Sequence, residues 1–407
     1  MIELLSPAGN REKMNAAIRY GADAVYLAGH SFGMRSAADN FALDELKDAI
    51  AYAHSRGVRV YITVNTMPRQ HEYGRLREYL SLLGAMEPDA LIVADLGVLA
   101  LVKEVLPHME IHISTQANAV SAAACRAFAA LGAKRVVLAR ELTLEEIRAI
   151  RADTPDSLEL EAFIHGSMCV SYSGRCLLSN FFTGQDGNRG ACKQPCRWNY
   201  KVNALVVTEE KRPDILIPIE EEKGEAFIMS SKDTCMIEHI PVLMESGINS
   251  FKIEGRMKSA YYTAVVTNAY RMAIDAYRTG AYQYDPRWRE ELESVSHREY
   301  GTGYYFTPSF ENANTCQNGG YIKEKAYLAD VLSYDEAKGL ALCVQKNKFS
   351  QGEGAVVLSP GKIGAPCRVE ALYNEAMEPI PSVPHPQMRF YIKTDVALRE
   401  GDILRGE

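Results

Sequence analysis

Short apolar runs alternate with stretches of helical spacing along the first two thirds of the chain. The runs are Ile2 to Leu5, Ala24 to Ala28, Val58 to Val64, Ala90 to Ala94, Ile111 to Ser114, Val136 to Ala139, Leu158 to Ile164 and Phe251 to Ile253. Between them, apolar positions at helical spacing predict helices over Arg11 to Arg19, Leu43 to Ser55 and Leu142 to Ile150. Apolar runs of this kind suit strands covered on both faces, as in a parallel sheet. Eight strand and helix units match the size of a (β/α)8, TIM-like barrel. An open, doubly wound sheet is less favoured, because no Gly-x-Gly-x-x-Gly follows the first run and the eighth still reads as a central strand. In a barrel the chemistry lies just past the strand ends. There the sequence places Ser6 to Gly9, Gly29, Asn65, Asp95, Thr115-Gln116, Arg140-Glu141, His165-Gly166 and Glu254-Gly255-Arg256, nearly all polar or Gly.

Residues 166–249 form an insertion between the seventh and eighth runs, far longer than the usual loop of about 2 to 6 residues. Beyond the eighth run, helical spacing covers Met257 to Arg278 and Pro286 to Val295. From Tyr321 the texture changes to short alternating runs: Ala326 to Leu332, Gly339 to Val344, Ala355 to Leu358, Arg368 to Leu372 and Met388 to Ile392. Gly, Pro and Asp clusters divide them, which predicts a small all-β domain. The expected organisation is a catalytic barrel over 1–306, a linker over 307–320 and a small β-barrel over 321–407.

With 407 residues, 47% hydrophobic and 24% charged, the chain has the composition of a globular protein, so wholesale disorder is excluded. The net charge of -7 provides no global attraction to a polyanion, and any nucleic-acid site must be a local patch. No apolar run approaches the roughly 20 residues of a membrane span, and the N-terminus lacks the basic and apolar parts of a signal peptide. A cytoplasmic protein with no membrane partner is expected.

Nine cysteines then become informative, because in a reducing compartment clustered thiols more often bind metal than form disulfides. Cys169, Cys176, Cys192 and Cys196 fall in one part of the insertion, and Cys235 lies just before the last barrel run. Their spacings are not the close Cys-x2-Cys pairs of structural zinc, and soft thiolates at wider spacing favour an iron-sulfur cluster. Buried unligated thiols are the alternative, and they are the expected state of the scattered Cys125, Cys316, Cys343 and Cys367.

Glu161-x-Phe163-x-x-Gly166-Ser167-Met168-Cys169-x6-Cys176, followed by Leu177-Leu178-Ser179, resembles the signature of the collagenase-like peptidase family of unknown catalytic type. The likeness extends through Leu5-Ser6-Pro7-Ala8-Gly9, Gly21 to Tyr26, Cys192-x3-Cys196-Arg197, Ser231-Lys232-Asp233 and Lys252-Ile253-Glu254-Gly255-Arg256-Met257-Lys258-Ser259. The resemblance implies a 4Fe-4S cluster and oxygen-independent hydroxylation of RNA bases or quinone precursors. Length and a single β domain make the chain most similar to members that form 5-hydroxyuridine at the tRNA wobble position with prephenate as co-substrate. The cluster ligands carried over are Cys169, Cys176, Cys192 and Cys235, with Cys196 the alternative fourth.

Prephenate is a dicarboxylate, so guanidinium forks at the barrel mouth would suit it, and Arg35, Arg140 and Arg256 are the candidates. Glu254 and Glu141 beside them read as proton-transfer groups or as their ion-pair partners. His165 reads either as a proton shuttle or as a satisfied structural histidine. From His165 to Lys201, the basic Arg175, Arg189, Lys193, Arg197 and Lys201 face the single acidic Asp186, with Trp198 and other aromatics interleaved. That segment suits stacking of a splayed tRNA base, and a basic shell around an anionic cluster explains the same charges. An endopeptidase is the rival activity, with Cys169 and His165 as its first suspects, although neither His-Glu-x-x-His nor Gly-x-Ser-x-Gly is present.

Overall fold

The computed structural model describes residues 2–35, 39–169, 171, 178–185, 190–198, 207–209, 212–217, 221–222, 225–226, 231–280, 282–308, 314, 321–322 and 325–407. All eight predicted runs form strands: β1 (Glu3–Pro7), β2 (Ala24–Leu27), β3 (Arg59–Val64), β4 (Ala90–Val93), β5 (Glu110–Ile113), β6 (Arg135–Val137), β7 (Glu159–Ser167) and, after the insertion, β9 (Ser250–Ile253). Each pairs in parallel with the next, and β9 pairs with both β1 and β7, so the sheet closes into a barrel. The intervening helices are α1 (Arg11–Arg19), α2 (Leu43–Ser55), α3 (Tyr73–Gly84), α4 (Leu96–Val105), α5 (Ala122–Ala130) and α6 (Leu144–Ala152). Thr143 and Glu146 cap α6 reciprocally, the hydroxyl accepting from Glu146 N–H at 3.2 Å and the carboxylate accepting from Thr143 N–H at 2.7 Å.

The long β7 outruns its neighbours. Its last residues receive β8 (Asp233–Cys235) antiparallel, with Cys235 opposite His165, and β8 in turn pairs with β10 (Tyr300–Gly301). Buried Arg298 locks this corner by donating to Asp233 Oδ1 at 2.9 and 2.7 Å and to the Met168 carbonyl at 3.3 Å. Among the described residues, no helix is long and apolar enough to cross a membrane.

Residues 15–22, 259–296 and 323–407 form a second compact unit, cutting across the chain-order division read from sequence. Its strands β11 (Tyr327–Asp335), β12 (Leu340–Gln345), β13 (Gly354–Leu358), β14 (Ala365–Tyr373), β15 (Arg389–Thr394) and β16 (Ile403–Gly406) close into an antiparallel barrel. Two helices of the same unit, α7 (Ala260–Arg278) and α8 (Pro286–Glu293), are tied to it by hydrogen bonds. Asn268 on α7 donates to Lys362 O at 2.8 Å and accepts from Gly361 N at 2.7 Å, while Glu291 on α8 takes both ends of the Arg405 guanidinium at 2.8 Å. Cys125, Cys343 and Cys367 are buried free thiols, in keeping with a packing role, and Cys316 lies outside the described residues.

Candidate active site at the barrel mouth

The C-terminal strand ends enclose a pocket in the first unit, and Arg35, Arg140, Glu254 and Arg256 all line it, as do Asn65 and Gln116. Each is set by its own loop. Arg35 follows β2 on a backbone with φ of 69°, a left-handed conformation uncommon for a residue with a side chain. Asn65 at the end of β3 steadies that loop by accepting from Met34 N–H at 3.0 Å and donating to Ser114 Oγ at 3.3 Å. Arg140 after β6 donates to Ser167 O at 3.0 Å and lies 5.2 Å over the Phe163 ring. Gly9 lets the loop after β1 lie against the Arg256 carbonyl, where a Cβ would approach the oxygen to 2.1 Å.

Charge in the pocket is unbalanced. Arg256 is 3% exposed, and its guanidinium donates to Thr63 Oγ1 at 3.0 Å. Burial pulls its pKa down to about 10, which Glu254 offsets only in part. Burial also pushes the Glu254 carboxyl up, but Arg35, Arg140 and Arg256 outweigh that, so it stays below the ordinary carboxylate range and is ionised at neutral pH. Glu254 lies 3.8 Å from Arg35 and accepts from Tyr26 OH at 3.2 Å. Three guanidiniums thus face one carboxylate.

His165 and Asp95 are not among the residues lining this pocket. Asp95 instead caps α4, accepting from Val98 N–H at 3.0 Å. His165 is buried on β7, with Nε2 3.5 Å from Tyr300 OH. The sequence reading also missed pocket residues: Lys252 on β9 and Phe163 on β7, with Tyr26 and Thr63. Lys252 bonds to Glu161 Oε1 at 2.7 Å. The available signal was a charge inside an otherwise apolar parallel strand.

Cys169, Cys192, Cys196 and Cys235 are thiols, not disulfides. Cys169 lies two residues beyond β7, and Cys235 ends β8 beside His165. Gly190, at φ of 92°, packs against the Gly33 carbonyl in the loop after β2, and Gln194 Nε2 reaches Met257 Sδ at 3.8 Å beyond β9. These contacts carry Cys192 and Cys196 to the same end of the barrel, and Cys192 Sγ accepts from Gln194 N–H at 3.4 Å. The donor set, soft thiols brought to one end of the barrel, has the chemistry an iron-sulfur cluster needs. Among the described residues, no three His, Cys, Asp or Glu side chains yet converge as a metal site, and Cys176 lies outside them.

Of the proposed RNA contacts, Lys193 and Trp198 are exposed on this piece. Trp198 Nε1 donates to Lys193 O at 2.9 Å, and its ring lies 6.3 Å from that of exposed Phe182. Arg175, Lys201 and the Arg197 side chain lie outside the described residues.

Comparison with known proteins agrees with the sequence resemblance. The family model described as peptidase family U32 matches residues 9–315, and that of its C-terminal domain matches residues 323–405. The chain is 36% identical to tRNA hydroxylation protein P1 of Bacillus subtilis, over 99% of this chain and 94% of that protein. It is 35% identical to tRNA hydroxylation protein P of Escherichia coli, over 94% and 91%, and 31% identical to a collagenase of Porphyromonas gingivalis, over 88% and 86%. The chain belongs to peptidase family U32.

Proposed function

We propose that this protein hydroxylates tRNA without oxygen, forming 5-hydroxyuridine at the wobble position with prephenate as co-substrate and a 4Fe-4S cluster as redox centre. The observation that carries the small-molecule half of this reading is the surplus of two positive charges among Arg35, Arg140, Arg256 and Glu254. A dicarboxylate neutralises that surplus, and planar guanidiniums grip carboxylates in pairs. Relatives named for tRNA hydroxylation, similar over nearly the whole chain, support the RNA half.

Cys169, Cys176 and Cys192 would hold the cluster with either Cys235 or Cys196, and when bound it supplies single-electron transfer. The remaining work falls to the chain's own side chains. Arg140 and Arg256 bind the carboxylates, while ionised Glu254 orients Arg35 as its ion-pair partner. Exposed Phe182 and Trp198, beside Lys193, offer ring faces on which an unstacked anticodon base can lie. A cysteine-peptidase reading has less support: Cys169 makes no hydrogen bond to His165 among the described residues, and His165 Nε2 pairs with Tyr300. Nucleoside mass spectrometry of tRNA from a deletion strain tests the proposal. Loss of wobble 5-hydroxyuridine and its derivatives is expected, and an unchanged nucleoside profile would refute it.

A further inference from the structure

The first barrel is filled unusually. TIM-barrel interiors are dominated by branched apolar side chains, yet here a column of charges runs through the centre. At its lower end, Glu3 on β1 accepts from Arg135 Nη1 at 2.6 Å, Tyr61 OH at 2.6 Å and Ser250 Oγ at 2.8 Å, and pairs with Arg59. Arg135 on β6 also donates to Glu159 at 2.8 and 2.6 Å and to Glu161 at 3.0 Å. Glu161 on β7 then accepts from Lys252 Nζ at 2.7 Å, at the pocket floor.

Lys252 is the terminus of this column. Its side chain is 6% exposed, and its ammonium sits 4.5 Å from the centre of the Tyr26 ring and 5.5 Å from that of Phe163. An ammonium has three N–H donors, and Glu161 is the one hydrogen-bond acceptor it has among the described residues. A buried N–H without an acceptor is costly, and the two ring faces offset that cost only in part. Well-packed apolar residues would fill the same space at no such cost. The column's charges are paired off below the pocket, so what Lys252 adds at the pocket lining is donor capacity beyond the bond that Glu161 takes, and no surplus charge.

We propose that Lys252 is a ligand-contacting residue of the pocket, donating from the floor to the small anion that the three guanidiniums receive, and that Glu161 and Arg135 are the positioning residues that aim it. The inference rests on the proposed function and deepens it by adding a directional donor that selects how the anion sits.

The test is prephenate binding by calorimetry on the full chain, with thermal unfolding measured alongside. Lys252→Met leaves Glu161 short of a counter-charge and should lower both stability and affinity. The double variant Glu161→Gln with Lys252→Met removes both charges, so stability should recover while prephenate affinity stays about tenfold weaker than wild type. Wild-type affinity in the double variant would show the column to be structural and overturn the inference alone. In wild-type protein, the Lys252 Nζ resonance, assigned by its loss in Lys252→Arg, should shift on addition of prephenate. No shift despite binding would overturn the inference whatever the stability of the variants. No prephenate binding by the wild-type protein would overturn this inference and the proposed function together.

Discussion

The two barrels of this chain solve the same packing problem in opposite ways. The C-terminal barrel fills its interior with Leu328, Val331, Val369, Phe349, Phe390 and Leu404, with the Phe349 and Phe390 rings in edge contact at 5.6 Å. The N-terminal barrel fills its interior, from its lower end to the pocket floor, with Glu3, Arg135, Glu161 and Lys252, each nearly or wholly buried. Apolar filling stabilises through area removed from water. Charged filling survives only because every carboxylate meets a cation, and removal of one partner is expensive. The contrast marks which interior was shaped by folding alone and which also by chemistry at its upper end.

The largest expected effect breaks the charged column. Arg135→Met leaves Glu3 and Glu161 without their shared guanidinium and should destabilise the first unit by about 3 to 5 kcal/mol, read as a lower urea midpoint. Phe390→Ala should cost a similar amount, about 3 to 5 kcal/mol, in the second unit. It should leave prephenate affinity untouched where Arg135→Met does not, and equal effects of both on affinity would erase the contrast.

Next in size is the loss of a charge-assisted contact in the pocket above the column. Arg256→Gln should weaken prephenate binding by about 10- to 100-fold in calorimetry, the equivalent of about 1.5 to 3 kcal/mol for a hydrogen bond to a charged group. Gly9→Ala sharpens the same point without touching a charge. The added Cβ would fall 2.1 Å from the Arg256 carbonyl oxygen, a backbone atom, so a several-fold loss of affinity together with a lowered thermal midpoint is expected.

A further effect is confined to acid. Burial pushes the Glu161 carboxyl up, but Lys252 and Arg135 bring it down to about 2, against 4.5 for an ordinary glutamate. The native state therefore binds that proton more weakly than the unfolded state does. Its stabilising contribution is complete above about pH 4.5 and is lost as pH falls towards 2. Urea midpoints of Glu161→Gln should fall less steeply than those of the wild type across that window.

Much of the scaffold was legible because it rests on local periodicity. Helices α1 and α2 match their predicted bounds, and the eight barrel strands lie within about two residues of theirs at nearly every end. Strand β16 was not foreseen, since its Arg405 interrupts a short run and finds its partners far along the chain, in Glu291, Ser294 and Tyr261. The packing of α7 with the second unit was equally hidden, because it depends on Asn268 meeting the turn at Gly361.

At the pocket, the rule that chemistry follows strand ends nominated Arg140, Glu254 and Arg256, the match of guanidiniums to a dicarboxylate added Arg35, and all four line the same pocket. It also nominated Asp95, whose oxygen serves its own helix, and His165, which packs with Tyr300. Lys252 escaped because it lies within a strand and its partner Glu161 is 91 positions away in the sequence.

In the proposed reading, the guanidinium-lined pocket serves tRNA hydroxylation. The most direct measurement is wobble 5-hydroxyuridine in tRNA from a deletion strain complemented with the wild-type protein or with Arg256→Gln, at matched protein levels. Restoration by the wild type and its loss with Arg256→Gln are predicted. Full restoration by Arg256→Gln, or none by the wild type, would contradict the claim.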